Sequence, residues 1–234
     1  MPDGISIWNR VLKTALRLPG IKVDRASFLR KELSPYMPAE SVEAVILGRM
    51  RIPKELRDRI TDDCIKYQLT IACGISAAAG VPGGFALFAT IPADVAQYYA
   101  QVIILIQKML YIYGWADLRD TRGQFNDATL GLLTIWIAVM TGNSAALAAL
   151  RTALESLKAQ ALTRIPQMVL GHSAVHTLVK ELAGRLGKEI TKKNVAQASS
   201  KIIPLIGAPI GASITYLTFK PMARRLKKQL DSRF

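Results

Sequence analysis

Few residues in this chain could do chemistry, and their spacing points to binding more than to catalysis. The clearest group lies in "ATIPADVAQYYAQVIILIQK", residues 89–108, where Asp94 is the one charged residue between Lys66 and Lys108. On a helix advancing about 100° per residue, Gln97, Gln101 and Lys108 fall within about 60° of Asp94 and form a polar stripe on an otherwise apolar rod. Thr90 stands four residues before Asp94, and Pro92 two before it. Two chemistries fit this pattern. Asp94 can cap a helix that starts afresh after Pro92, its charge meeting free amides, while the glutamines bond a neighbouring helix. Alternatively, the stripe is a polar track inside a cavity or bilayer, touching a lipid headgroup, a ligand or an ion.

Other constellations are weaker. In "GHSAVH", His172 and His176 are four apart, a spacing zinc sites use on one helix face, but no glutamate follows His172 and no third ligand is close in sequence. Two polar helix residues account for the pair equally well. "GVPGG" (Gly80, Pro82, Gly83, Gly84) lacks the Lys-Ser/Thr of a phosphate loop, and no Gly-x-Ser-x-Gly elbow occurs. Cys64 and Cys73, nine apart, have no histidine nearby and read as buried thiols. The expectation is a protein that is not an enzyme and uses no cofactor or metal.

The elements that position these groups read as all-α. Around residues 1–66 lie short amphipathic helices broken by proline. Asp24 is a cap ahead of an apolar stripe of Phe28, Leu29 and Leu33, and Pro38 suits a helix start. A helix from Pro53 carries Leu56, Ile60 and Cys64 at fours, with Lys54/Asp58, Glu55/Arg59 and Asp62/Lys66 spaced to pair across turns. Beyond Tyr67, "LTIACGISAAAG" is apolar on every side, the mark of a helix buried in protein or lipid. From Ile65 to Ala79 it spans roughly 22 Å, short of a ~30 Å hydrocarbon core. "VPGG" then interrupts the chain, and a second helix is expected from about Phe85 to Tyr113, stopped by Gly114. The result is an apolar helical hairpin with a Pro-Gly-Gly tip.

Two more uncharged runs follow, 128–150, long enough to span a bilayer, and 202–219, cut by Pro204 and Pro209. "SITYLTF" has strand-like composition but no visible partner, so it too is assigned to helix. The expected architecture is a compact all-α bundle around the hairpin, with residues 1–66 as amphipathic helices and 67–234 as an apolar core and basic end, together one unit.

Charge is distributed unevenly. Residues 1–66 hold 13 basic and 9 acidic groups (+4), residues 67–150 hold 3 and 4 (−1), and residues 151–234 hold 15 and 4 (+11). The chain ends in "KPMARRLKKQL", with Met222, Leu226 and Leu230 at fours and Lys220, Arg224, Arg225, Lys227 and Lys228 around them. A solvated basic tail and an amphipathic segment lying on anionic lipid both fit. Nucleic acid is not an expected partner, because no recognition fold or interleaved aromatic pattern accompanies the charge. "MPDGISIWNRVLK" has no signal-peptide core, and only Cys64 and Cys73 are present, so a reducing cytoplasm is expected, with the protein peripheral or integral at a membrane.

The block "GVPGGFALFATIPADVAQYYAQ", continuing to "QKMLYIYG", resembles the EcsC family of bacterial proteins. The matching residues are Gly80, Pro82, Gly83, Gly84, Thr90, Ile91, Pro92, Ala93, Asp94, Gln97, Tyr111 and Gly114. "KIIPLIGAPIGASITYLTFKPMA" is similar to a second signature of that family, a Gly-Ala-x-x-Gly-Ala segment before Lys-Pro, and "LPGIKVDRASFLRKEL" is similar to the N-terminal region of some members. The resemblance implies membrane association and, in some members, a link to bacterial conflict systems; it implies no defined activity.

The leading expectation is therefore a protein that docks on anionic lipid through its basic last third and inserts or senses with its apolar hairpin. A soluble bundle holding a lipid or other apolar ligand beside Asp94, Gln97 and Gln101 is one alternative. A membrane-damaging effector that inserts the hairpin is another. A membrane-protein or self-association partner is left open.

Overall fold

A computed structural model describes residues 4–79, 93–120, 122–144, 146–148, 150, 180–181, 183–184, 186–188 and 207–232. The helices are α1 (Gly4–Ala15), α2 (Arg25–Leu33), α3 (Ala39–Ile46), α4 (Lys54–Ala79), α5 (Ala93–Ile112), α6 (Asp127–Met140) and α7 (Gly207–Asp231), and no strand occurs among the described residues. The all-α expectation holds, and "SITYLTF" is helical within α7.

Local chemistry sets the helix ends. Asp24 caps α2, its carboxylate accepting from the Ser27 N–H at 2.9 Å. That bond, with help from Arg119, holds the Asp24 carboxyl down at about 2. Gly114 ends α5 at φ +83°, a conformation that side chains resist, and lets the Trp115 N–H reach back to the Leu110 carbonyl at 2.9 Å. Gly142 does the same for α6 at φ +88°, with the Asn143 N–H on the Ala138 carbonyl at 3.1 Å. The uncharged run 128–150 is thus no single rod. Its first helix is 14 residues, about 21 Å, and ends where glycine turns the chain, with helix again at Ser144 and beyond.

Three long helices form the frame. Gln68 of α4 bonds Gln101 of α5, and Arg57 lies 4.9 Å over the Tyr113 ring, so α4 and α5 run antiparallel. Cys73 meets Ala212 while Asp62 meets Lys227, so α7 is also antiparallel to α4 and runs alongside α5. Tyr98 with Thr218, and Tyr113 with Asp231, confirm that direction. Residue 66 lies inside α4, so the change in composition there is not an element boundary. The expected tip residues Gly80, Pro82, Gly83 and Gly84, and the expected start near Phe85, lie outside the described residues.

One hydrophobic core runs from Trp8 to Leu230. Helix α6 supplies its most buried face, Leu132, Leu133 and the unbroken run Ile135–Met140. Trp8 of α1 sets its ring edge-on to Tyr99 at 5.1 Å and donates its indole N–H to Thr134 at 3.0 Å, tying α1 to α5 and α6. Gln107, fully buried, accepts from the Val23 N–H at 3.2 Å and donates to the Ile21 carbonyl at 2.8 Å, fastening the α1–α2 connector to α5.

Two sequence expectations change here. Asp62 does not pair with Lys66 but with Lys227 of α7 at 2.7 Å, because α7 brings a cation across the groove while Lys66 turns to Asp63 at 3.4 Å. Met222, Leu226 and Leu230 are buried in the core, so the apolar side of "KPMARRLKKQL" packs on protein and not on lipid.

Two stability outcomes follow. Gln107→Leu strands a backbone donor and an acceptor, at about 1–3 kcal/mol for each buried group left unpaired, so urea unfolding should show a loss of about 2 kcal/mol or more at unchanged m-value. Asp24→Ala should cost about 1 kcal/mol at neutral pH through the lost cap. Because the Asp24 carboxyl titrates lower folded (about 2) than its ordinary 3.8, its contribution is complete above that value and fades as pH falls toward 2. The urea midpoints of wild type and Asp24→Ala should converge over that window.

Candidate functional site

Charge is sorted along the axis of the α4–α5–α7 frame. At one end lie the last turns of α4, the first turns of α5 and the first turns of α7. Residues 67–79, 93–101 and 207–219 contain a single charged group, Asp94. This end is apolar yet poorly covered. Between Leu69 and Ala77 only Ala72 is buried, and on α7 Ile214, Tyr216 and Leu217 are 44%, 42% and 70% exposed. Going down the axis, the first basic residues met are Lys66, Lys108 and Lys220. Two half-exposed tyrosines mark that boundary: Lys108 stands 5.2 Å from the Tyr67 ring, and Lys220 4.5 Å from the Tyr216 ring while donating to its hydroxyl.

The opposite end carries the charges. Arg25 ties the ends of α3 and α5 together by donating to the Ile46 carbonyl at 2.7 Å and the Trp115 carbonyl at 2.8 Å. Arg119 bridges Asp117 at 2.5 Å and Asp24 at 3.1 Å. Burial alone would raise the Asp117 carboxyl, but Arg119 outweighs it and the net direction is down. Burial, then Asp231, pushes the Tyr113 hydroxyl up, so it stays a hydrogen-bond donor to that carboxylate.

The polar stripe of α5 is brought together only in part. Gln101 and Lys108 converge on one residue of α4: the Gln68 amide donates to Gln101, and the Lys108 ammonium donates to the Gln68 carbonyl at 3.2 Å. Gln68 and Gln101 are buried, so this is a satisfied seam between two helices, the helix–helix bonding the spacing allows. Gln97 is half-buried; Thr90 and the Asp94 side chain lie outside the described residues. Gln68 and Gln107 escaped the sequence reading because each is one amide in an amphipathic run, and only the identity of the facing backbone reveals its task.

The five basic candidates divide the same way. Arg225 donates to the Met140 carbonyl at 3.1 Å and lies against Gly142, and Lys227 is held by Asp62. Both fasten α7 to its neighbours. Arg224 and Lys228 are exposed, and Lys220 is half-buried on Tyr216.

A groove of about 460 Å³ opens between α4 and α7 at the apolar end, lined by Cys73, Ala212, Ser213, Tyr216 and Leu217. Below it, the helices are joined by the Cys73 thiol on the Ala212 carbonyl at 3.6 Å and by the Ser76 and Thr215 hydroxyls at 2.7 Å. Among the described residues no group of three or more His, Cys, Asp or Glu could hold a metal; His172 and His176 lie outside them.

The two thiols should separate cleanly. Burial pushes Cys64 up to about 12, whereas Cys73 is partly exposed in the groove wall. With Ellman's reagent at pH 8 the native protein should release one equivalent from Cys73, and the second only on unfolding; rapid release of two would contradict this burial.

Comparison with protein-family models, with curated proteins and with solved structures finds no match to this chain.

Proposed function

We propose that this chain is a non-enzymatic, membrane-associated protein, akin to the EcsC family, that docks end-on upon anionic lipid at the cytoplasmic face of a bacterial inner membrane. The observation that carries the reading is the exposed apolar end of the α4–α5–α7 frame, where Asp94 is the single charged residue. Apolar groups left open together, with polar and basic groups beyond them, mark interaction surfaces in general. A bilayer fits this one because apolar tip, tyrosines and lysines follow one another along the axis, as acyl chains, interface and headgroups do.

No described helix is long and apolar enough to cross a membrane, and the reading is one of docking, not crossing. Of the three oily segments, α6 is consumed by the core, while the ends of α4 and α7 supply the tip. The solvent face of α7 carries both contributions: Ile214 and Leu217 near its start, then Arg224 and Lys228, each basic group worth about 1 kcal/mol beside anionic lipid.

Flotation of the full chain with vesicles tests this. The protein should rise with equimolar phosphatidylglycerol and phosphatidylcholine at low salt and remain below with phosphatidylcholine alone. Ile214→Asp with Leu217→Asp should abolish flotation at an unchanged thermal melt, and Arg224→Gln with Lys228→Gln should weaken it about thirtyfold. Folded wild type that stays at the bottom of the low-salt gradient would overturn the reading.

A further inference from the structure

We infer that the groove between α4 and α7 is a site for one anionic phospholipid, its acyl chain seated against Cys73, Ala212, Ser213 and Leu217 and its phosphate held by Lys220 and Tyr216. The inference rests on the docking reading and adds to it a defined ligand and a defined place.

The groove is apolar and open. At about 460 Å³ it falls within the range of small-molecule sites, about 300–1,000 Å³. Its lining is small where the helices approach, at Cys73, Ala212 and Ser213, and large only on its outer wall, at Tyr216 and Leu217. The Cys73–Ala212 and Ser76–Thr215 bonds set the register of the two helices beside it. Those bonds engage the Cys73 thiol and the Ser76 and Thr215 hydroxyls beside the groove. Leu217 remains 70% exposed on its rim, a position an acyl chain would cover.

Chemistry at the mouth selects the headgroup. The Lys220 ammonium donates one of its protons to the Tyr216 hydroxyl and has two left; the hydroxyl, now an acceptor, keeps its own proton to donate. Two adjacent donors, one of them charged, match a phosphate diester oxygen pair better than a neutral group. The two helices that form the groove carry no carboxylate over residues 67–79 and 207–219. Ser213 lies seven residues from Lys220, about 10 Å along the axis, so a chain anchored at the lysine runs the length of the groove toward the apolar tip. A bilayer lipid is therefore met tail-first by the tip and headgroup-first by the lysine, in the orientation the docked protein presents.

Monomeric dihexanoyl-phosphatidylglycerol, below its micelle concentration, probes the site by calorimetry on the full chain. Wild type should bind one equivalent. Ser213→Phe fills the channel from an exposed position and should lose at least tenfold in affinity, yet still float with phosphatidylglycerol vesicles. Lys220→Gln should lose about tenfold for the glycerol headgroup and little for dihexanoyl-phosphatidylcholine. Absence of binding to wild type, or equal binding by Ser213→Phe, overturns the groove site whatever flotation shows. Displacement by hexanoate at equal concentration overturns the choice of a phospholipid in favour of a free fatty acid. If the short lipid binds as described while wild type fails to float, the docking reading falls and the site stands.

Discussion

The antiparallel contact between α4 and α7 governs the rest of the molecule. At its charged end Lys227 on Asp62 joins the two helices, while Arg225 on the Met140 carbonyl ties α7 to α6 and Tyr113 on Asp231 ties it to the end of α5. At its other end the same two helices are joined by neutral groups alone, Ser76 with Thr215 and Cys73 with Ala212. None of these contacts is strong in itself; a partly exposed ion pair such as Lys227–Asp62 contributes about 1 kcal/mol or less. Their effect is positional. With register fixed, every charge on α7 falls on one side of Lys220 and every exposed apolar group on the other.

That sorting explains why half of the chain being hydrophobic does not produce a uniformly buried protein. Helix α6 and the lower half of α5 absorb apolar residues into the core, where Trp8, Trp115 and Trp136 fill the largest spaces. Farther along, the helices outrun their neighbours. The last turns of α4 have apolar residues on all sides but protein on one, so Ile71, Ile75 and Ala77 are only half covered. In water such an end costs free energy in proportion to its open apolar area; against acyl chains the cost disappears. The tyrosine and lysine pairs at its lower margin, Tyr67 with Lys108 and Tyr216 with Lys220, have amphipathic side chains suited to an interface of water and headgroups.

Much of this was legible in the residues, and what was not has physical causes. The capping by Asp24 and the stop at Gly114 are local chemistry, and the apolar stripe of Phe28, Leu29 and Leu33 follows from helical period; all three are found as expected. The stripe of Gln101 and Lys108 was visible as a face, but not its partner, because Gln68 lies on another helix 33 residues away. Partner choice also misled where two answers were available: Asp62 has Lys66 one turn away in sequence and takes Lys227 instead. Run length overstated 128–150, since a lone Gly142 with positive φ outweighs a continuous apolar composition. The basic C-terminal helix looked free to lie on lipid, yet its apolar residues Met222, Leu226 and Leu230 already had a core to enter.

The central claim is that the apolar end, and no other part of the surface, faces the bilayer. Position 217 marks that end and position 47, an exposed leucine beyond α3, marks the opposite one. An environment-sensitive fluorophore on Leu217→Cys or Leu47→Cys, each in a Cys73→Ser chain, reads the two ends separately when vesicles containing a brominated phosphatidylglycerol are added. The account predicts strong quenching at 217 and none at 47. Quenching at 47, or equal quenching at both, would contradict it.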